Sequence, residues 1–323
     1  LHEFSAKKAV PALVLTGREI LVLIYPLVRK GILMSPQIIV NGIALGSVYA
    51  LIAVGFALIF NILKFSNFAH GSLMTASAFI GYIFAIKTKL GLFPVIIVSM
   101  LAGGLLGVLG EFLAFRRLVN RKASSIYYFV SSITLGSLYE AVVTIAAGPN
   151  FYNYPRFFHK LVISIGSIVI SRSDATMFVT SWIVLGLLVL MLSKTRVGRG
   201  IRAVSFDADT ASMMGINVVR HIQLAFFLSG ALGGLSGVFL GINYTLYPQL
   251  GNLVTKGFIA SVIGGLGSMS GAVIGAVLLG VIETLLINFI GSGYAPVFTF
   301  LIMLVFLLVH PQGIAGSNVQ EKA

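Results

Sequence analysis

The chain is 323 residues long, 58% hydrophobic and only 10% charged, with a mean hydropathy of +1.02. A soluble domain carries a charged fraction of about 25%, so the composition excludes one and defines a polytopic membrane protein. The formal net charge of +13 would suggest nucleic acid in a soluble protein. Here the basic residues sit between apolar runs, which is the positive-inside pattern and argues against nucleic acid. The absence of cysteine removes disulfides and thiolate metal sites. Continuous apolar runs with 36 glycines and 9 prolines point to closely packed, locally broken helices and not to a β-barrel.

In chain order, residues 10–28 place Val10, Val14, Gly17, Leu21, Ile24 and Val28 on one helical face, opposite Arg18. Arg18 and Glu19 would each cost about 3 kcal/mol at a bilayer centre, so the expectation is an amphipathic helix lying at the interface. No small-residue cleavage site follows it, and the chain is expected to be inserted, not exported. Membrane segments of about 20 residues are predicted near 38–62, 71–87, 92–114, 126–147, 174–192, 222–245, 256–290 and 295–310. The segment 256–290 is too long for one untilted span and carries Gly264, Gly265, Gly267 and Gly271. It reads as a half-helix followed by a full one, so the expected fold is all-α with about eight to nine transmembrane helices, some broken or re-entrant. Two basic clusters, Arg116/Arg117/Arg121/Lys122 and Lys194/Arg196/Arg199/Arg202, are separated by two spans and fall on the same, cytoplasmic side. The external loop 148–174 between them reads as a turn at Gly148-Pro149-Asn150 followed by short strands over Leu161 to Ile170.

The second basic cluster opens a polar island, GRGIRAVSFDADTASMMGIN (198–217). Ser205 is the expected N-cap of a short helix, with Asp207 in its first turn and Gly215 closing it in the left-handed conformation. Phe206, Thr210, Met213 and Met214 would share one face, which suits a plug for a groove on another protein. A loop with one helical turn fits the same stretch.

Glycines spaced by four (Gly230/Gly234, Gly233/Gly237/Gly241, Gly267/Gly271/Gly275) let helix backbones approach closely. A faint echo between NFAHGSLMTASAFIGY (67–82) and GGLGSMSGAVIGAVLLG (264–280) places a Gly-containing break ahead of a small-residue helix in each half, as in transporter repeats. Acids at membrane depth are Glu111, Glu140 and Glu283. Glu111 is close enough to Arg116 for an end-of-helix ion pair. Glu140 and Glu283 lie deeper, where an ionisable group either serves function or is held neutral between helices. Asn67 and His70 sit at a break, where they could line a path or satisfy a loose carbonyl. No acid has a histidine at ligand spacing, and neither H-E-x-x-H nor G-x-x-x-x-G-K-[ST] occurs. Metal hydrolysis and P-loop ATP binding are therefore excluded, and any ATP drive must come from another subunit.

The chain resembles the permease subunits of ABC importers for branched-chain amino acids, a family that includes urea and short-amide permeases. The resemblance runs from Asn41 to about Gly316. It rests on NGIALGSVYALIAVGFALIF (41–60), NFAHG (67–71), the helix end Glu111 to Leu118, the island 198–217, FFLSGALGGLSGVFLG (226–241), KGFIASVIGGLGSMSGAVIGAVLLGVIE (256–283) and HPQGIAG (310–316). It implies a non-enzymatic subunit without cofactor or metal, in a bacterial inner membrane. A second permease chain, two cytoplasmic ATPases and an external solute-binding protein would accompany it. The implied division is a leader over 1–36, a permease domain over 37–316 with a cytoplasmic coupling loop at 193–221, and a polar tail over 317–323. Arg202, Asp207, Met213 and Gly215 would form the ATPase-coupling set, and Asn67, His70, Glu140 and Glu283 the weaker candidates for the path. Three positions depart from the family pattern: Arg117 stands where Pro is usual, Gly257 where Ala is usual, and Glu140 where an amide is usual. Glu140 adds a charge that amino-acid transport does not require, which leaves urea or short amides as the alternative solute. A different class, an ion-coupled secondary transporter, would have to use Glu140 and Glu283. The stretch before Ser35 is longer than the family needs, and its start at Leu1 without Met is what a processed or engineered end would show.

Overall fold

Lipid offers no partner to a backbone N–H or C=O, so each apolar run must satisfy its own hydrogen bonds as a helix. The computed structural model describes residues 36–158, 162–165, 168–310 and 312–315. The expected interfacial helix at 10–28 and the tail at 317–323 lie outside the described residues. Among the described residues eleven α-helices, beside a short 3-10 helix at Pro248–Leu253, follow in chain order: α1 (Pro36–Leu63), α2 (Ala69–Thr88), α3 (Leu92–Asn120), α4 (Ser125–Ala147), α5 (Arg172–Lys194), α6 (Arg196–Phe206), α7 (Ala208–Met213), α8 (Val218–Asn243), α9 (Val254–Gly264), α10 (Met269–Ile290) and α11 (Ala295–Val309). Among the described residues seven of these are long and apolar enough to cross a membrane: α1 to α5, α8 and α10. The eighth expected span is the shorter α11.

The long segment 256–290 is split as expected. Its first part, α9, has 11 residues and rises about 16 Å at 1.5 Å per residue, half of a hydrocarbon core of about 30 Å. Gly265 (φ 106°) and Gly267 (φ 88°) turn the chain, and Ser268 caps α10 by accepting from Gly271 N at 3.1 Å. The exposed carbonyls at the end of α9 find partners far along the chain. Ile314 N donates to Ile263 O and Ala315 N to Gly264 O, both at 2.9 Å. Residues 312–315, part of the HPQGIAG motif, thereby close the half-helix.

Helix contacts are made where side chains are absent. A Cβ on Gly230 of α8 would lie 2.1 Å from the Gly103 carbonyl oxygen of α3, and one on Gly234 would lie 2.1 Å from Ser99 O. Gly42 and Gly46 of α1 press on Val281 and Val277 of α10, and Gly271 and Gly275 of α10 press on α9. Gly233 and Gly237 face α2, so the spaced glycines serve two different neighbours of α8. As a result α1 and α8 are buried along most of their length, whereas α4 and α5 bury one side only.

At the basic end of the bundle Lys122, from the first cluster, forms an ion pair at 2.7 Å with Asp209, in the segment that follows the second. The other end carries an antiparallel hairpin, β1 (Val162–Ile165) and β2 (Ile168–Ser171), paired Val162 to Ser171. Gln37 clamps α1 to it, donating to Val169 O at 2.7 Å and accepting from Val169 N at 2.8 Å.

Overpacking at the α3–α8 contact is expected to cost about 1–3 kcal/mol or more. Gly230→Leu should therefore lower the unfolding temperature and folded yield in detergent. Gly186→Ala, whose Cβ would meet nothing within 4 Å, should leave both at the wild-type level.

Candidate functional site

At the basic end the chain between α5 and α8 folds into two short helices instead of one. Thr195 caps α6, its hydroxyl accepting from Gly198 N at 3.1 Å. Gly198 and Gly200 then allow α6 to lie against Leu192 and the His221 ring. Its apolar side, Ile201 and Val204, is buried while Arg199 and Arg202 stay exposed. This seating keeps Ser205 inside α6, where its hydroxyl bonds Arg202 O at 2.8 Å. The expected cap at Ser205 is thus corrected to Asp207, and the expected helix 205–214 to α7 alone. Asp207 leaves helical geometry (φ −156°, ψ 110°). Its carboxylate accepts from Asp209 N at 2.9 Å, Thr210 N at 3.1 Å and the Thr210 hydroxyl at 2.6 Å. The Thr210 hydroxyl and N–H hold the Asp207 carboxyl below the usual aspartate range. The capping charge is present above that range and lost only as pH falls through the lowered value.

Gly215 closes α7 at φ 80° with nothing within 4 Å of an added Cβ, and Ile216 N bonds back to Ala211 O at 3.0 Å. Ala211 is buried in an apolar cluster with Val204, Ile222 and Phe226, flanked by Leu118 and Ala123 of the α3–α4 corner. The Lys122–Asp209 pair ties α7 to the same corner and raises the Lys122 ammonium above its usual range. Three large apolar side chains are left outside: Phe206 is 94% exposed, Met213 85% and Met214 78%. Of the sequence-derived coupling set, Met213 is the large apolar side chain left exposed. Asp207 and Gly215 shape the helix, and Arg202 turns its guanidinium back onto Leu192 O at the end of α5.

The α3–α4 corner contains a feature absent from the sequence reading, a π-helical turn at Glu111–Phe115. Glu111 and Arg116 form the expected ion pair, two-pronged at 2.6 and 3.2 Å, with Glu111 buried. The wider turn brings residues five apart together. Phe115 packs on Phe226 of α8 and on Phe65 in the break before α2. Arg117 stands exposed in the last turn of α3.

Along the membrane path the candidates separate. Asn67 is buried in the α1–α2 break and accepts from Ala69 N at 3.2 Å. His70 is buried between α1 and α8, with Nδ1 3.4 Å from Ser229 Oγ and the ring against Gly55 and Gly233. It is Ser229 that bonds the Gly55 carbonyl, at 2.8 Å. Glu140 is half-buried and lines an open groove on the outer side of α4 with Ser137, Ala141, Thr144 and Ile145. The ion pairs among the described residues, Glu111–Arg116, Lys122–Asp209 and Glu283–Lys256, leave it out. Glu283 of α10 is buried and paired with Lys256 of α9, whose ammonium also donates to the Tyr49 hydroxyl at 3.1 Å. Lys256 was missed by the sequence reading. The available signal was that it is the sole base in an otherwise apolar half-helix, where a charge requires a partner. Its neighbour Gly257 lies within α9 and not in a loop, and a Cβ there would meet Ile52 at 2.3 Å. Among the described residues no three His, Asp or Glu side chains gather as metal ligands.

A helical membrane protein with a re-entrant half-helix, an ion pair at membrane depth and a capped helix projecting from its basic end belongs to the transporter class. The family described as "Branched-chain amino acid transport system / permease component" matches residues 38–309, and the chain belongs to it. It is a permease, the translocation-path subunit of an ABC importer. The high-affinity branched-chain amino acid transport system permease protein LivH of Salmonella typhimurium is 33% identical over 298 residues, 87% of this chain and 96% of LivH. BraD of Pseudomonas aeruginosa, a permease of the same description, is 31% identical over 300 residues, 88% of this chain and 97% of BraD. Among solved structures, PsaBC from Streptococcus pneumoniae in complex with Fab aligns over 83% of this chain and 89% of that chain, at 14% identity and a TM-score of 0.47.

A β-branched side chain at the left-handed Gly215 should cost more than about 1 kcal/mol locally. Gly215→Val is expected to speed amide exchange across residues 208–217 while the spans keep wild-type protection, measured by hydrogen–deuterium exchange.

Proposed function

We propose that this chain forms the path of an importer for branched-chain amino acids in a bacterial inner membrane, with its basic end in the cytoplasm and α7 seated in a cleft of a separate ATPase. The observation that carries the reading is the exposure of Phe206, the last residue of α6, and of Met213 and Met214 at the end of α7, a helix that is capped, closed and braced to the bundle by Ala211 and by the Lys122–Asp209 pair. Water-exposed Phe and Met on a rigid element are the chemistry of a helix that docks in an apolar groove. Without a P-loop in the chain, hydrolysis belongs to the partners, two ATPases beneath two permease chains. The hairpin end then faces outward and receives a solute-binding protein. ATP-driven closure of the ATPases would shift the bundles as rigid bodies and alternate access. The solute assignment is supported by the likeness to LivH and BraD over most of their length. The permease unit is taken as 37–316, with 193–221 as its coupling loop. Glu140, on an open groove, and Glu283 are assigned to the path, and Asn67 and His70 to its supporting wall.

In vesicles, the chain reconstituted with its ATPases and binding protein should take up leucine only with ATP. The chain alone should take up none under any ion gradient, and gradient-driven uptake by it would show a secondary transporter instead. Met213→Asp and Phe206→Asp should insert normally but retain less than about a tenth of the co-purifying ATPase. Wild-type retention in both would place the dock elsewhere. Glu140→Gln keeps size and hydrogen bonding but removes the charge, and should change uptake rate at equal protein level; unchanged kinetics would remove Glu140 from the path.

A further inference from the structure

The Lys256–Glu283 pair is incomplete in a way that a pair built only for folding is not. Glu283 Oε1 is engaged by Lys256, but Oε2 is buried and has no hydrogen-bond partner among the described residues. A buried carboxylate oxygen left without a donor is strongly disfavoured. Lys256 has three N–H donors and spends them on Glu283 and the Tyr49 hydroxyl, with its charge 5.5 Å from the centre of the Tyr49 ring. An open acceptor and a spare donor therefore stand side by side in one nearly dry place.

The position suits a ligand. Lys256 lies in the first turn of α9, which continues directly from a short 3-10 helix at Pro248–Leu253. Tyr244, half-exposed, stands just past the end of α8, whose last residue Asn243 bonds Ser173 and Asp174 beside the hairpin.

We propose that Glu283, Lys256 and Tyr49 form a binding site for the head of a zwitterionic α-amino acid. Glu283 takes the ammonium group, and Lys256 with the Tyr49 hydroxyl takes the carboxylate. The inference rests on the permease reading above and adds the groups that select the solute. An α-amino acid carries both charges on one carbon, so it can insert between the two partners of the ion pair and replace each one's counter-charge. No net charge enters the membrane interior, and the unpaired Oε2 gains a donor. A neutral amide offers neither charge and a keto acid only one, so the site discriminates by leaving a buried charge unpaired in every wrong complex.

The test uses the chain purified together with its ATPases, without binding protein, so that another protein's selectivity does not enter. Thermal unfolding is followed with about 10 mM of L-leucine, leucinamide, 4-methyl-2-oxopentanoate or urea. L-Leucine alone should raise the unfolding temperature, and the shift should vanish in the Lys256→Gln/Glu283→Gln double variant. That variant removes both charges together and leaves neither unpaired, so the fold is retained where a single substitution endangers it. ATP-driven leucine uptake by the full assembly should fall by about ten-fold or more in the double variant. Uptake within about two-fold of wild type would overturn the site and reduce the pair to a structural one. Stabilisation by leucinamide or urea equal to that by leucine, or none by leucine, would overturn it too. Lack of leucine uptake by the wild-type assembly would instead refute the solute reading, and the thermal shift would still decide whether the site binds a zwitterion.

Discussion

Backbone-to-backbone contact between helices is the constraint on which the rest of this structure depends. In lipid, apolar side chains gain little by leaving their surroundings, so helices associate through close packing and interhelical hydrogen bonds. The α3–α8 contact at Gly103 and Gly230 and the α1–α10 contact at Gly42 and Gly46 bring main chains together where any side chain would collide. Dispersion gains little per atom pair but accumulates over such a seam. With α8 fixed against α3 on one side and α2 on the other, its basic end is held still, and the α6–α7 segment has a firm support.

The same constraint admits polar groups at depth only where they are provided for. The half-helix α9 ends inside the protein, and its carbonyls are met by the N–H groups of residues 314 and 315. His70 fits because Gly55 and Gly233 leave room for its ring. The glutamates of the spans differ in what surrounds them. Glu111 is answered on both oxygens by Arg116, Glu283 on one by Lys256, and Glu140 faces an open groove. A single residue type thus ranges from a closed structural pair to a group available for chemistry.

The spans were legible because about 20 apolar residues and their basic flanks are local signals. The split of 256–290 was legible because Gly264 to Gly271 concentrate flexible positions in one place, and Gly215 because only glycine readily accepts the conformation that ends α7. Other features depend on contacts remote in sequence. Ser205 and Asp207 are both good cap residues, and the choice between them is made by the seating of Gly198 and Gly200 on α5 and α8, which extends α6 through Ser205. The π turn at 111–115 has no local composition signal. Lys256 and Glu283 lie 27 positions apart on two helices whose geometry is set by a turn, so neither residue names the other. The family resemblance pointed to residues 198–217 as a unit, but which of its side chains project from it follows only from packing.

The Lys256–Glu283 pair also bears on how the protein is built. Either charge alone at the centre of a membrane helix costs about 2.5–3.5 kcal/mol on insertion. That cost disappears only when α9 and α10 stand side by side as a hairpin, and Tyr49 can complete the cluster only if α1 is already in place. The carbonyls that end α9 are met by residues 314 and 315, which lie further along the chain than either helix of that hairpin. These contacts therefore depend on one another. α1, α9 and α10 must all be in place for the two charges and the Tyr49 hydroxyl to answer one another, and residues 314 and 315 must reach α9 for its last carbonyls to be bonded.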